Sequence, residues 1–424
     1  MKKVLFFCIA ALASFSVSAE DVIQTKPVSA TAGETGENYL SVQCYRDSYA
    51  NLTQIQFNIV LPAGMTLNTE PWDYGDDLIK VTGGRTKVYS HAIDVSGGAD
   101  GNYLVIVSNT SNEQFNAGNG ELVKLYYDIA PNMAAGIYPI IVKTVKITGD
   151  DDDQHLLSES TSYVKVGSPK DATLAVTGLV PSFVTSALNN ETAITTLNLT
   201  AATAINGEFA LMDSRSLILP EKDVTVEKGT YSRKVPTGNS TLCLPFAYTC
   251  GNKNFTIYTY GGLKNGKTLV LDGYGVEVAA NTPVIFTAGS EATLTLSTSK
   301  SFKLNASTSL TVEKDGVSLV GTYAKLSAPK GSYVLQSQND MEAFYKVGST
   351  QPSVLANRCY LTSAAGEVKA FAFPAAPPPL TESRLMPTKV PSTTLQDARS
   401  ARPIRESISL MARRLSSENP PIVE

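Results

Sequence analysis

Histidine is nearly missing from this chain: His91 and His155 are the only two, and tryptophan occurs once, as Trp72. With so little imidazole, histidine-based acid–base catalysis and histidine-rich metal centres have almost no material. Charge is sparse as well, at 17% of residues with a net charge of −4. That excludes the concentrated basic face that a nucleic-acid partner demands. Cysteine is too thin for a disulfide scaffold, with five in 424 residues. Beyond the first twenty residues no run is apolar enough to cross a membrane. No nucleophile elbow, phosphate loop or paired acid–base motif appears, so neither a reaction nor a cofactor is expected.

What is present points first to an address. Met1-Lys2-Lys3 precedes a short apolar run over 4–17, and Val17-Ser18-Ala19 is a small-residue cleavage site. This reads as a secretory signal peptide cut before Glu20, taking Cys8 with it. The run is shorter than the ~20 residues that span a bilayer. Export leaves Cys44, Cys243, Cys250 and Cys359. Cys243 and Cys250 could pair only if the chain folds back after Pro245, since a continuous strand would hold them ~23 Å apart. Buried free thiols are the default.

The architecture is written in alternation. In Thr53-Gln-Ile-Gln-Phe-Asn-Ile-Val-Leu-Pro62, Ile55, Phe57, Ile59 and Leu61 alternate with Gln54, Gln56 and Asn58. That period of two predicts a strand with one buried and one wet face, ended by Pro62 and the Ala63-Gly64 turn. Further strands are predicted over 39–44, 87–94, 102–108, 122–129, 136–147 and 161–166, with no convincing amphipathic helix. Short strands with glycine turns at this spacing indicate an antiparallel β-sandwich.

The strand pair ending in Leu61-Pro-Ala-Gly-Met65, the segment Asn116-Ala-Gly-Asn-Gly-Glu-Leu-Val-Lys-Leu125 and Ala135-Gly-Ile-Tyr-Pro-Ile-Ile-Val142 resemble the cohesin and cohesin-like modules of bacterial extracellular proteins. The resemblance implies a jelly-roll sandwich that holds a dockerin-like protein partner on a sheet face. It supplies no residue set for that face.

Residues 167–172 look like a linker, within a span 167–228 expected to be a linker with short repeat-like strands. There Ala193-Ile-Thr-Thr-Leu-Asn-Leu-Thr200 and Ser216-Leu-Ile-Leu-Pro220 resemble leucine-rich-repeat turns, too few for a solenoid. Strands become dense again over 229–373. Leu242-Cys-Leu-Pro-Phe246, Ala280-Asn-Thr-Pro-Val-Ile-Phe286, Pro329-Lys-Gly-Ser-Tyr-Val-Leu335, Phe344-Tyr-Lys-Val347 and Arg358-Cys-Tyr-Leu361 resemble a C-terminal β-module of secreted surface proteins of gut-dwelling Gram-negative anaerobes. That family brings no activity with it.

Candidate sites are few. Asp150-Asp-Asp-Asp153 offers oxygen ligands but lacks the turn glycine and distal glutamate of a calcium loop, so a solvated hairpin loop is the better reading. Trp72 and Tyr74 beside Asp73, Asp76 and Asp77 form the one candidate ligand platform, for an extracellular glycan or as a paired-carboxylate site; one tryptophan in a turn is more often a lid over the sandwich core. His91 has no catalytic companion and is expected to be structural. Gly261-Gly262 and Gly273-Tyr-Gly275 read as hairpin glycines. Seven Asn-x-Ser/Thr sequons, such as Asn51-Leu-Thr53, are treated as chance.

From about Pro374 the character changes. Six of eleven arginines lie from Arg384 onward, no tyrosine follows Tyr360 and no glycine follows Gly366. A disordered basic tail over 374–424 is one reading. A one-base slip near the proline run 374–379 is the reading preferred here. Codons compatible with 392–415 can be chosen so that the neighbouring frame resembles the C-terminal β-segment that sorts such proteins to the surface.

The sequence therefore predicts an all-β chain: signal peptide 1–19, cohesin-like sandwich 20–166, connecting span 167–228, second β-module 229–373 and tail. The expected role is non-catalytic binding of a protein partner at the cell surface, or in the periplasm if sorting is lost. Carbohydrate binding as an accessory of polysaccharide utilisation is the alternative.

Overall fold

A computed structural model describes residues 22–36, 38–45, 52–69, 79–81, 91–115, 120–149, 154–213, 215–273, 277–298, 300–305, 309–364 and 368–375. All lie within one compact unit, residues 1–378. Strands dominate, and the architecture is all-β as the alternation predicts.

The strand Leu52–Val60 buries Ile55, Phe57 and Ile59 completely and leaves Gln54, Gln56 and Asn58 half-exposed. Its end follows the expected chemistry. Pro62 accepts the Met65 N–H at 3.0 Å, closing a turn in which Gly64 takes φ 91°. Leu52–Val60 pairs antiparallel with Gly136–Gly149 on one side and Asn102–Ser108 on the other, and Ala92–Gly97 extends the sheet. The opposing sheet runs Val22–Thr25, Tyr39–Tyr45, Gly120–Ile129 and Met65–Leu67, with Ile79–Val81 also on Gly120–Ile129. Between the two lies a core of Ile23, Leu40, Val42, Phe57, Val105, Leu125 and Val142 among others. Truncating Phe57 in such a core costs about 3–5 kcal/mol. The strand expected over 87–94 is observed as Ala92–Gly97, with 82–90 outside the described residues.

The span 167–228 differs most from its reading as a linker with short strands. It holds Ala172–Val180, Ile194–Met212, Ser216–Ile218 and Val224–Val235. All three pairings of Ile194–Met212 with the others are parallel. Leu174, Leu197 and Leu217 stack in register and are buried. The two repeat-like stretches are thus neighbours in a small parallel stack with a spacing of roughly twenty residues. A parallel pair needs a crossover, and the helix Ser182–Leu188 supplies the first, burying Val184, Thr185 and Leu188. Sequence periodicity indicates no helix there, because seven residues are too few to show a 3.6-residue repeat.

This layer belongs to a 13-stranded sheet that continues into the first sandwich. A 10-stranded sheet follows, from Gly238–Leu242 to Thr311–Lys314. Phe246, Phe286, Phe344 and Phe371 are buried in the core it shares with the parallel layer.

The cores separate close to residue 166: those strands mostly pack in one, and residues from Leu174 onward in the other. We propose that the first core is sufficient for residues 20–166 to fold alone, although in the intact chain the sheet continues past them. Residues 20–166 expressed alone are expected to give a β-type circular dichroism spectrum and one cooperative melt. A molten or aggregated product would contradict the proposal.

Candidate functional site

Trp72, Asp73, Tyr74, Asp76 and Asp77 lie outside the described residues, as do Asp150–Asp153. His91 does not. It is buried, stacks on Phe115 with ring centroids 4.3 Å apart, and places Nε2 3.2 Å from the Glu113 carbonyl oxygen. Those contacts give it a packing role. Among the described residues no cluster of three or more His, Cys, Asp or Glu could hold a metal ion.

The described feature with binding chemistry is the outward face of the sheet Ala92–Gly97, Asn102–Ser108, Leu52–Val60 and Gly136–Gly149. In Asn102–Ser108, Tyr103, Val105 and Val107 point into the core, which turns Leu104 and Ile106 outward. Registry aligns Leu104 with Asn58 and Ser96, and Ile106 with Gln56 and Asp94. On the next strand Ile141 lies beside Val60, Lys143 beside Asn58 and Lys146 beside Gln56. Val60, Leu104, Ile106 and Ile141 are half-buried. The face is therefore an aliphatic patch threaded with amides, cationic at Lys143 and Lys146 and acidic at Asp94.

A bulge shapes its far side. Between Lys143 and Lys146 the register shifts, and Thr144 sits at φ 52°. Before the shift Gly136–Gly149 pairs with Ser160–Val166; after it the partner is Gln154–Leu157. Leu156 thereby comes opposite Lys146, with 74% of its surface exposed. Leu104, Ile106 and the Gln54–Asn58 amides were legible as strand positions. Their role as a face was signalled only by the unbroken apolar run Leu104-Val-Ile-Val107, which a one-sided strand does not need.

Comparison with known proteins places cohesin modules among the similar solved structures. The CaCohA2 module from Clostridium acetobutylicum is 17% identical, with 35% of this chain and 92% of that one covered at a TM-score of 0.28. A cohesin module of a Clostridium perfringens family 33 glycoside hydrolase is 14% identical, with 35% and 96% covered at 0.27. A Clostridium thermocellum cohesin–dockerin complex, Coh-OlpC-Doc435, matches at 11% identity, 34% and 93% coverage and 0.27. No family model matches the sequence and no curated protein does.

Two polar groupings in the second half of the chain are constructed differently. Arg358 places Nη2 2.6 Å from Asp213 Oδ1 and donates from Nη1 to the Tyr231 hydroxyl at 2.9 Å. Tyr231 donates to the same Asp213 carboxylate at 2.5 Å. Burial pushes the Tyr231 hydroxyl up to about 12 and pulls the Arg233 guanidinium down. For Arg358 burial acts downward too, but Tyr231 and Asp213 outweigh it and hold the cation. The grouping ties the parallel layer to the strand Arg358–Ser363.

The thiols are equally closed. Cys243 and Cys359 are buried free thiols; burial lifts Cys243 to about 12 and Cys359 well above the ordinary thiol range. Neither supplies a thiolate nucleophile near neutral pH. Cys250 is also free, so the Cys243–Cys250 bond considered from the sequence is not formed here.

The two sides of Asn102–Ser108 should respond very unequally to charge. Ile106→Asp is expected to cost about 1–2 kcal/mol, because Ile106 is only half-buried but stands opposite Asp94. Val105→Asp buries a carboxylate and should cost more than about 3 kcal/mol. Urea unfolding of both variants checks this; a collapse on Ile106→Asp would mean that the face is covered.

Proposed function

We propose that this chain is a non-catalytic exported binding protein that holds a protein partner on the outward face around Leu104, Ile106 and Ile141. One observation carries the reading. Four half-buried aliphatic side chains, Val60, Leu104, Ile106 and Ile141, stand together on the solvent side of a sheet whose other side already fills a core. A one-sided sheet normally turns polar residues outward, and aliphatic groups gathered there suit a surface that loses water to a partner. The amides and the Lys143, Lys146 and Asp94 charges would set register and orientation more than affinity.

The sequence resemblance to cohesins makes a dockerin-like domain the first partner class to test, within an extracellular assembly. The second module is proposed as the carrier that presents the sandwich at the cell surface. A glycan platform at Trp72 and Tyr74, which lie outside the described residues, is the second reading.

The test uses immobilised full-length protein and its Ile106→Asp variant against a panel of purified dockerin domains and the culture's own secreted proteins, with soluble polysaccharides as a third arm. A protein retained by the wild type and weakened at least tenfold by Ile106→Asp supports the reading. Equal retention by both, or retardation by polysaccharide that Trp72→Ala abolishes, would overturn it.

A further inference from the structure

Residues 167–172 look like a linker in the sequence, but the structure around them is closed. The turn is tied at both ends: Gly167 donates its N–H to the Ala30 carbonyl at 2.9 Å, and Ala172 donates to Ala193 at 2.8 Å. Behind it the strands on either side meet directly. The Leu179 N–H donates to the Glu159 carbonyl at 2.8 Å, and Ser160 is registered with Leu179. The Thr161 hydroxyl donates to the Thr177 carbonyl and accepts the Thr177 N–H at 2.9 Å. Ser160, Thr161 and Ser162 are almost wholly buried.

Gly178 sits at the centre of this seam. Its φ of 70° favours glycine, and a Cβ there would lie 2.2 Å from the Glu159 carbonyl oxygen. The backbones approach too closely for any side chain. Two residues of the first sandwich also cross the boundary: Ile137 and Tyr163 belong to the core of the parallel layer. At the rim, Lys165 Nζ meets Glu191 Oε2 at 2.9 Å with both side chains mostly covered.

A flexible linker makes few contacts with the modules it joins. This seam combines backbone hydrogen bonds, a buried hydroxyl bridging two strands, shared core residues and a glycine that only close approach explains. We propose that the seam makes the chain a rigid strut, in which the first sandwich does not swing on residues 167–171 but is held at a fixed orientation to the parallel layer and the sheets beyond. The face around Ile106 is then presented in one direction from the rest of the protein, whatever it binds. Such preorganisation avoids the ordering cost that a swinging module bears when it docks.

The experiment compares intact wild-type protein with Gly178→Val and Thr161→Val. The valine at 178 must drive Glu159 away, whereas Thr161→Val keeps shape and removes only the bridging hydroxyl. Calorimetry of the wild type should show one transition. Gly178→Val should split it in two, and Thr161→Val should broaden or split it less. Under limited trypsin digestion, cleavage after Lys170 should accelerate at least tenfold in Gly178→Val; should that variant fail to fold, Thr161→Val carries both readouts, with acceleration of at least threefold. Two separate transitions in the wild type, or cleavage after Lys170 equally fast in wild type and the folded variant, would overturn the strut.

Discussion

Register on the strand Gly136–Gly149 is the constraint on which the first sandwich and its outward face both depend. That strand's hydrogen-bonded partners are Leu52–Val60, Ser160–Val166 and, past the Thr144 bulge, Gln154–Leu157. Its inward residues Ile140, Val142, Val145 and Ile147 fill the first core, while Ile137 reaches the second. Its outward residues Ile141, Lys143 and Lys146 build half of the proposed binding face. A one-residue slip would exchange those two sets, placing lysine in the core and valine in water. Register on this strand therefore fixes core and surface together.

From that constraint follows the division between the two halves. The first is a mainly antiparallel sandwich, in which strands far apart in sequence, such as Leu52–Val60 and Gly136–Gly149, close a core between two sheets. The second begins with a parallel layer, which needs crossovers and so depends on the helix Ser182–Leu188 and on cover from the following sheets. The Asp213–Tyr231–Arg358 grouping belongs to that cover. Removing one member of such a buried charged group leaves the others unpaired, so it specifies how layers dock more than it adds net stability.

Much of the first half was legible because its signal is local. Alternation over 54–59 and 123–129 states which side chains are buried, and the structure agrees there; Leu52 and Leu122, buried out of phase at the strand starts, depart from it. The parallel layer was not legible in the same way. Leu174, Leu197 and Leu217 repeat with uneven spacing across three different local sequences, and only stacking makes them equivalent. Gly178 reads as one glycine among thirty until Glu159 is seen against it. Arg358 and Asp213 stand 145 residues apart, beyond any sequence pattern. The candidate face was half visible: alternation gives the outward positions, but their being aliphatic on adjacent strands emerges only from registry.

Amide hydrogen exchange on the intact protein, resolved to single peptides, tests most directly whether one hydrogen-bonded sheet unites these parts. The account predicts that Ile140–Val142, the 160–166 strand and the 172–180 strand exchange together and slowly, through global unfolding. Fast exchange across 172–180 while 52–60 stays protected would contradict it, and would leave two modules joined by a loose connection.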